Sequence, residues 1–432
     1  MFLGNVAYRL VFRSPDFRLY YTASDFIHHT YGNNKGALLM LNVLFLGLVS
    51  FFIDLSTHMI YPLVPLFLVS LGATPILIGT IEGVAESAAS LLKVFSGHIT
   101  DRIQRKKWLA FAGYVPALVY KIVLLVATTW VGVFAAKMID RIGKGIRTTP
   151  RDVLIAESGG KKKLGGAFGL HKMLDMLGVG AGILLAFFIM RSVGEDFDGF
   201  RRIFAIAIIP SVLGLAMFAF IREKKEPREI KTREPFWQNI RQIDGRLKLY
   251  LVVVFLFTLG NSSNVFLLLR AQNIGFTASG VILLYFLYSI TTSLLALPMG
   301  KLSDRIGRRG LLVCGYFLFA LCYIGFAFVT QRWMVVAVFV LYGMYTAFIS
   351  GAEKAYVVDI APPELKGTML GLQATIAGVA LLPASIIAGV LWERIDPAAT
   401  FIFGASMALF AGIILFAGAL PLWKKGEKPN GK

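Results

Sequence analysis

Apolar runs of about twenty residues or more alternate with short polar turns along most of this chain, and about twenty helical residues are what the hydrocarbon of a bilayer requires. On that pattern spans are expected near 38–70, 76–97, 108–128, 131–157, 165–190 and 202–221. Six more are expected near 248–270, 278–300, 311–330, 333–359, 366–391 and 398–422. The prediction is an all-α membrane protein with twelve transmembrane helices. One span departs from the pattern. At about 100° per residue, Lys137, Asp140, Arg141, Lys144, Arg147 and Arg151 fall on one face of the fourth helix, because their spacings are sums of three and four. Each such charge costs roughly 2.5–3.5 kcal/mol at a helix centre, so the stripe must face protein or water.

Composition agrees with the pattern. The 432 residues are 56% hydrophobic and 16% charged, with a mean hydropathy of +0.69, which is too apolar for a soluble domain. A formal charge of +19 would suggest nucleic acid in a soluble protein. Here Lys and Arg cluster between the apolar runs and no basic groove interleaved with aromatics is visible, so nucleic acid is not an expected partner. Cys314 and Cys322 lie in one run, too far apart along a helix to bond each other, and they exclude a cysteine metal cluster. No cofactor, no metal and no enzymatic nucleophile–base constellation is implied.

Orientation follows from the turns. One set holds Arg102, Arg105, Lys106 and Lys107, then Lys161, Lys162 and Lys163, then Arg305, Arg308 and Arg309, and the tail Lys424, Lys425 and Lys428. The alternate set holds little beyond Arg191, Arg201, Arg202, Arg332 and Arg394, so both termini are expected in the cytoplasm and the chain in a plasma (inner) membrane. Residues 1–36 lack the continuous apolar core of a signal peptide and read as a membrane-surface helix. A charged stretch, 222–247, separates a first bundle (37–221) from a second (248–422), and 423–432 form a cytoplasmic tail.

The halves are alike. GHITDRIQRKK from Gly97 recurs as GKLSDRIGRRG from Gly300, an offset of 203, and LGGAFGL at Leu164 matches KGTMLGL at Lys366. Two six-helix repeats in one orientation point to a two-bundle transporter with its site between the bundles. On these residues the chain resembles the major facilitator superfamily from about 38 to 422. The family's loop signature G-x-L-a-D-R-x-G-R-[KR]-[KR] is matched by Gly97, Asp101, Arg102, Arg105, Lys106 and Lys107, with Ile99 for Leu and Gln104 for the inner Gly. The second copy offers Gly300, Leu302, Asp304, Arg305, Gly307, Arg308 and Arg309. The resemblance implies two pseudo-symmetric six-helix bundles, a small-molecule substrate, a monomer in the lipid bilayer, and a loop that latches the cytoplasmic side. Asp152 or Glu157 is the expected acid for Arg105. Under the repeat offset Arg151 and Asp152 correspond to Glu353 and Lys354, and Glu157 to Asp359; the inverted signs suggest ion pairs between the repeats at that gate.

The remaining chemistry lies inside the membrane. Arg141-Ile142-Gly143-Lys144-Gly145 resembles the family's R-x-x-Q-G, with Lys144 in place of Gln. A count of about 1.5 Å per residue places Arg141 near mid-membrane. Candidate partners are Asp54 and His58, four apart on the first span, and Glu82 and Glu86, four apart on the second. These acids either neutralise Arg141 and Lys144 permanently, or a desolvated Asp54 or Glu86 exchanges protons. In the second half Asn261, Asn264 and Tyr285 are expected to line the same cavity. Drug-exporting members carry G-x8-G-x3-G-P-x2-G-G in the fifth span. Gly169, Gly178 and Gly182 keep its spacing, while Ile183, Ala186 and Phe187 depart from it. The expectation is a proton-coupled secondary transporter working by alternating access, with efflux slightly favoured. The alternatives are transport of an anionic organic solute held by Arg141, Lys144 and Arg147, and a membrane sensor or scaffold that moves nothing.

Overall fold

The computed structural model describes residues 35–102, 106–159, 164–223, 245–361 and 366–417. The first half runs α1 (Lys35–Ile60), α2 (Val64–Ser70), α3 (Pro75–Arg102), α4 (Lys106–Val126), α5 (Trp130–Gly159), α6 (Leu164–Val193) and α7 (Phe197–Ala216). The second runs α8 (Gly245–Gly260), α9 (Val265–Asn273), α10 (Ala278–Ile306), α11 (Arg308–Phe328), α12 (Arg332–Ile360), α13 (Lys366–Arg394) and α14 (Pro397–Ala417). With α1–α2 and α8–α9 each counted as one broken crossing, the order is that of twelve spans in two six-helix halves. The expected surface helix before residue 35, most of the linker and the tail lie outside the described residues.

The two breaks differ from the continuous spans that hydropathy predicts, and their causes are local. Pro62 and Pro65 remove two backbone donors after Ile60, and Pro65 sits in the first turn of α2. In the second half the interruption is Asn261-Ser262-Ser263-Asn264, whose side chains compete with the helix for backbone partners. Position 61 plus the repeat offset of 203 is 264, so both halves break at the same place. Among the described residues eleven crossings are long and apolar enough to span a bilayer on composition. The exception is α5. Its 30 residues reach about 45 Å, but its charges exclude it from that class.

Packing sets the frame for the site. In the first half α1 lies on α6, α4 on α5 and α3 on α5; in the second, α11 lies on α14, α10 on α12 and α8 on α14. The halves meet through α3 against α13 and α6 against α10, so the second helix of each half packs on the fifth of the other. The second half has one continuous apolar core, which extends into the first half around Ile60, Phe67 and Phe204. Val43, Leu46, Tyr114, Leu154 and Phe218 form a separate core at the linker end of the first half. A polar layer that includes Asp140, Arg141 and Arg147 lies between the two. A buried charged layer cannot be packed by side chains as apolar as its neighbours, and this is why one bundle has two cores.

Candidate functional site

The polar layer is built on α5, and the glycines of its basic motif explain how it packs. A Cβ at Gly143 would come 2.6 Å from Pro116 Cβ on α4, and one at Gly145 would come 2.6 Å from Leu92 Cβ on α3. Their absence lets α5 press against both neighbours and holds its charges at the bundle centre. Lys137 pairs with Glu82, and both side chains are almost wholly buried. One turn further on, Arg141 pairs with Glu86 at 2.7 Å. Asp140 lies 3.7 Å from Arg141 and 3.8 Å from Arg147, at Coulombic range without a hydrogen bond. Arg147 stacks over the Tyr114 ring at 4.8 Å, which turns it toward α4. Asp140 Oδ1, Arg141 Nε and Arg147 Nη1 are buried without a hydrogen-bond partner, so the polar capacity of this layer exceeds what the protein itself satisfies.

The layer reaches the other half through His58. Its ring is 6.0 Å from Tyr285 at an interplanar angle of 14°, and Nδ1 is 3.3 Å from the Tyr285 hydroxyl. Tyr61 joins them at 5.2 Å, and ring contacts continue from Tyr285 through Tyr288 and Tyr342 to Tyr345. Arg141 and Lys144 both act electrostatically on His58. Asn261 donates to Tyr345 at 3.2 Å and Asn264 accepts from Tyr342 at 2.8 Å, so both asparagines bond within their own half. Arg141, Glu86, Lys144, His58, Tyr285 and the asparagine–tyrosine pairs thus converge near mid-depth, where the halves meet. Glu82 sits closer to the far end of α3.

Three residues with evident roles here carried no periodic signal. Lys121 is fully buried on α4 and donates to Thr57 Oγ1 at 3.2 Å. Asp175 on α6 pairs with Lys172 at 2.6 Å and meets Asp54. Glu195, in the turn between α6 and α7, accepts from the backbone N–H of Ala278 at 2.8 Å and of Ser279 at 3.0 Å, at the start of α10 in the other half. A lone ion in an apolar run shows its partner only in three dimensions.

The gate residues are partly visible. Arg105 lies outside the described residues, as do the side-chain surroundings of Gly97, Asp101, Arg102, Gly300, Asp304 and Arg305. Glu157 pairs with Lys106, and Arg308 pairs with Asp359. Under the repeat Glu157 corresponds to Asp359, whereas Lys106 corresponds to Arg309, one residue past Arg308; both pairs join the start of the third helix to the end of the fourth within one half. Arg151 bonds its neighbour Asp152 at 2.8 Å, while Glu353 is half-buried on α12 beside Lys354. Among the described residues these gate ion pairs run within repeats.

The halves are closed at the end away from the linker. There α3 and α13 are in backbone contact from Pro75–Gly389 to Ser90–Gly378, with Ser87 Oγ donating to Gly378 O at 2.6 Å. Two turns further toward the linker end, a Cβ at Gly371 would meet nothing within 4 Å.

Comparison with known proteins gives this architecture a family. The family model described as Major Facilitator Superfamily matches residues 46–269 and 249–432. An uncharacterized MFS-type transporter of Methanocaldococcus jannaschii is 34% identical over 389 residues, covering 89% of this chain and 96% of that protein. Multidrug resistance protein MdtG of Salmonella arizonae is 23% identical over 409 residues, covering 90% and 95%. Among solved structures, nucleoside transporter NupG matches with a TM-score of 0.72 at 13% identity, covering 88% of this chain and 99% of that one. With the two-bundle architecture, the repeated loop and the full-length match in hand, the chain belongs to the major facilitator superfamily and is a multi-pass membrane transporter.

Proposed function

We propose that this protein is a proton-coupled secondary active transporter that moves a small solute by alternating access through a site between its two bundles, which span about 37–221 and 248–422. The observation that carries the reading is the convergence of Arg141, Glu86 and His58 from the first half on Tyr285 of the second, at the level where both halves break. Helices broken at mid-depth leave backbone groups free to meet a solute, and the charged layer is stable only against protein, water or ligand. The basic residues in the turns support a linker and termini in the cytoplasm of a plasma (inner) membrane, and on that orientation the arrangement described is closed to the outside. The working unit is the monomer.

Efflux of an organic compound is the first reading. It draws on the retained glycine spacing in α6 and on relatives named for multidrug resistance, among them MdtG at 23% identity. Transport of an organic anion is the second. It draws on Arg141, Lys144 and Arg147 on one helix, whose charged donors suit a carboxylate. Purified protein in liposomes under an imposed pH gradient, assayed with ethidium and with benzoate, separates these. Gradient-driven ethidium movement supports the first. Benzoate flux, with thermal stabilisation lost in Lys144→Gln, supports the second; a ligand at a hundred times its Kd adds about 2.7 kcal/mol. A sensor or scaffold would give no flux of any solute.

A further inference from the structure

We propose that Asp54 on α1 and Asp175 on α6 form a two-carboxyl site that takes up and releases the coupled proton, leaving Glu86 as the fixed counter-ion of Arg141. The proposal rests on the reading of the chain as a proton-coupled transporter.

The geometry begins with glycines. A Cβ at Gly178 would run into the carbonyl oxygen of Phe51, and one at Gly182 into that of Leu55, so α1 and α6 touch backbone to backbone. These glycines belong to the spacing that resembles the export motif, and here they bring two acid-bearing faces together. Ser50 and Asp54 are four apart on α1, and His171 and Asp175 are four apart on α6. Ser50 Oγ and His171 Nε2 are 2.8 Å apart. One turn along, the carboxyl side chains of Asp54 and Asp175 face each other and interact directly. Two carboxylates have only acceptors, so a hydrogen bond between them requires one shared proton. Uptake forms one O–H bond on a carboxylate oxygen; release breaks it and leaves two adjacent negative charges.

Asp175 gives the pair a route to water. It is paired at 2.6 Å with Lys172, whose side chain is 64% exposed. Asp54 feels Arg147 and Arg151 from α5 and Lys121 from α4, and Asp175 feels Lys172 and His171 on its own helix. His58 on α1 and Tyr285 on α10 also sense the pair, Asp175 acting on His58 and Asp54 on Tyr285. These two rings are in contact across the bundle interface, so the charge of the carboxyl pair acts on a contact that must break when the bundles rock. Glu86 lacks this freedom, because Arg141 is 2.7 Å away in the same layer.

Infrared difference spectroscopy on purified protein stepped in pH, in water and in deuterated water, reads the carbonyl stretch of a protonated carboxyl and needs no solute. One titrating band is expected in the wild type, lost in Asp54→Asn and in Asp175→Asn, kept in Glu86→Gln, and restored with a moved midpoint in Asp175→Glu. A band that survives both asparagine variants but vanishes in Glu86→Gln overturns the assignment. Since the asparagine variants are read only where circular dichroism finds the helices intact, Asp175→Glu carries the test if they misfold: an unmoved midpoint there overturns the proposal. Ethidium flux separates the proposal from the reading beneath it. Gradient-driven flux in the wild type that persists undiminished in Asp175→Asn overturns the proton site. A wild type with the band and no gradient-driven flux removes the transport reading while the proton site stands.

Discussion

At the scale of single residues, the charges in the first half belong to two groups, and the difference is what each one faces. Glu82 and Lys137 are almost completely buried against each other near the far end of α3 and α5. Removing one partner leaves an uncompensated charge in a dry interior, while removing both restores neutrality. Glu82→Gln is expected to lower stability by roughly 3–5 kcal/mol and Glu82→Gln/Lys137→Met to recover most of it. Chemical unfolding in detergent micelles checks this; equal losses in the single and double variants would mean that the pair is not coupled. Arg141 and His58 are different, because they combine protein partners with a position at the bundle interface. The stripe on α5 and the i, i+4 acids were legible as periodicity, since helical spacing is a property of the chain alone. Arg147 was legible as part of that stripe but not in its contacts: its stacking on Tyr114 depends on how closely α4 approaches, and that depends on Gly113, where a Cβ would lie 2.7 Å from Arg147 Cβ.

At the scale of helices, glycines decide distances that hydropathy cannot see. Outside the charged α5, the apolar runs located the crossings, because the length that spans a bilayer is written in composition. They did not show the breaks after Ile60 and Gly260, where two prolines and an Asn-Ser-Ser-Asn run act locally inside spans whose average remains apolar. Nor did they show that the partly retained glycine spacing in α6 divides by function. Gly178 lies against the Phe51 carbonyl, whereas a Cβ at Gly169 would meet nothing within 4 Å. Gly178→Ala is therefore expected to force α1 and α6 apart at a cost of about 1–3 kcal/mol and to abolish gradient-driven flux. Gly169→Ala is expected to change neither by more than a few tenths of a kcal/mol, and to gain slightly in helix propensity. Melting curves together with ethidium flux test the pair. Equal effects at the two glycines would remove close packing as the reason for the motif, and with it the physical account of how Asp54 and Asp175 meet.

At the scale of the whole molecule, the closed end away from the linker is held by two clasps related by the repeat. Glu195, after α6, accepts from the first N–H groups of α10; Glu393, at the end of α13, accepts from Ile76 N at 3.2 Å, at the start of α3. In each case an acid from the end of one half's fifth helix caps the second helix of the other, satisfying donors that a helix N-terminus leaves open and meeting the positive end of its dipole. Opening this end must break all three bonds. At solvent-exposed positions they are worth about 0.5–1 kcal/mol each, together roughly a ten- to hundredfold bias toward closure. Burial raises the pKa of Glu195, but the hydrogen bonds from Ser279, Ala278 and Thr277 outweigh it and hold the carboxyl below the usual glutamate range. Its contribution is thus complete above the ordinary glutamate pKa and is lost as the pH on that side falls through the depressed value. Spin labels at Thr129→Cys and Gln331→Cys, in turns of opposite halves at this end and with Cys314→Ser removing the exposed native thiol, report the distance between the bundles. Acidification is expected to shift the distribution toward longer separations. Glu195→Gln/Glu393→Gln should produce the same shift at neutral pH and remove its dependence on acid. A distribution that ignores both pH and the double substitution would mean that α3 against α13 and α6 against α10 close this end by packing alone.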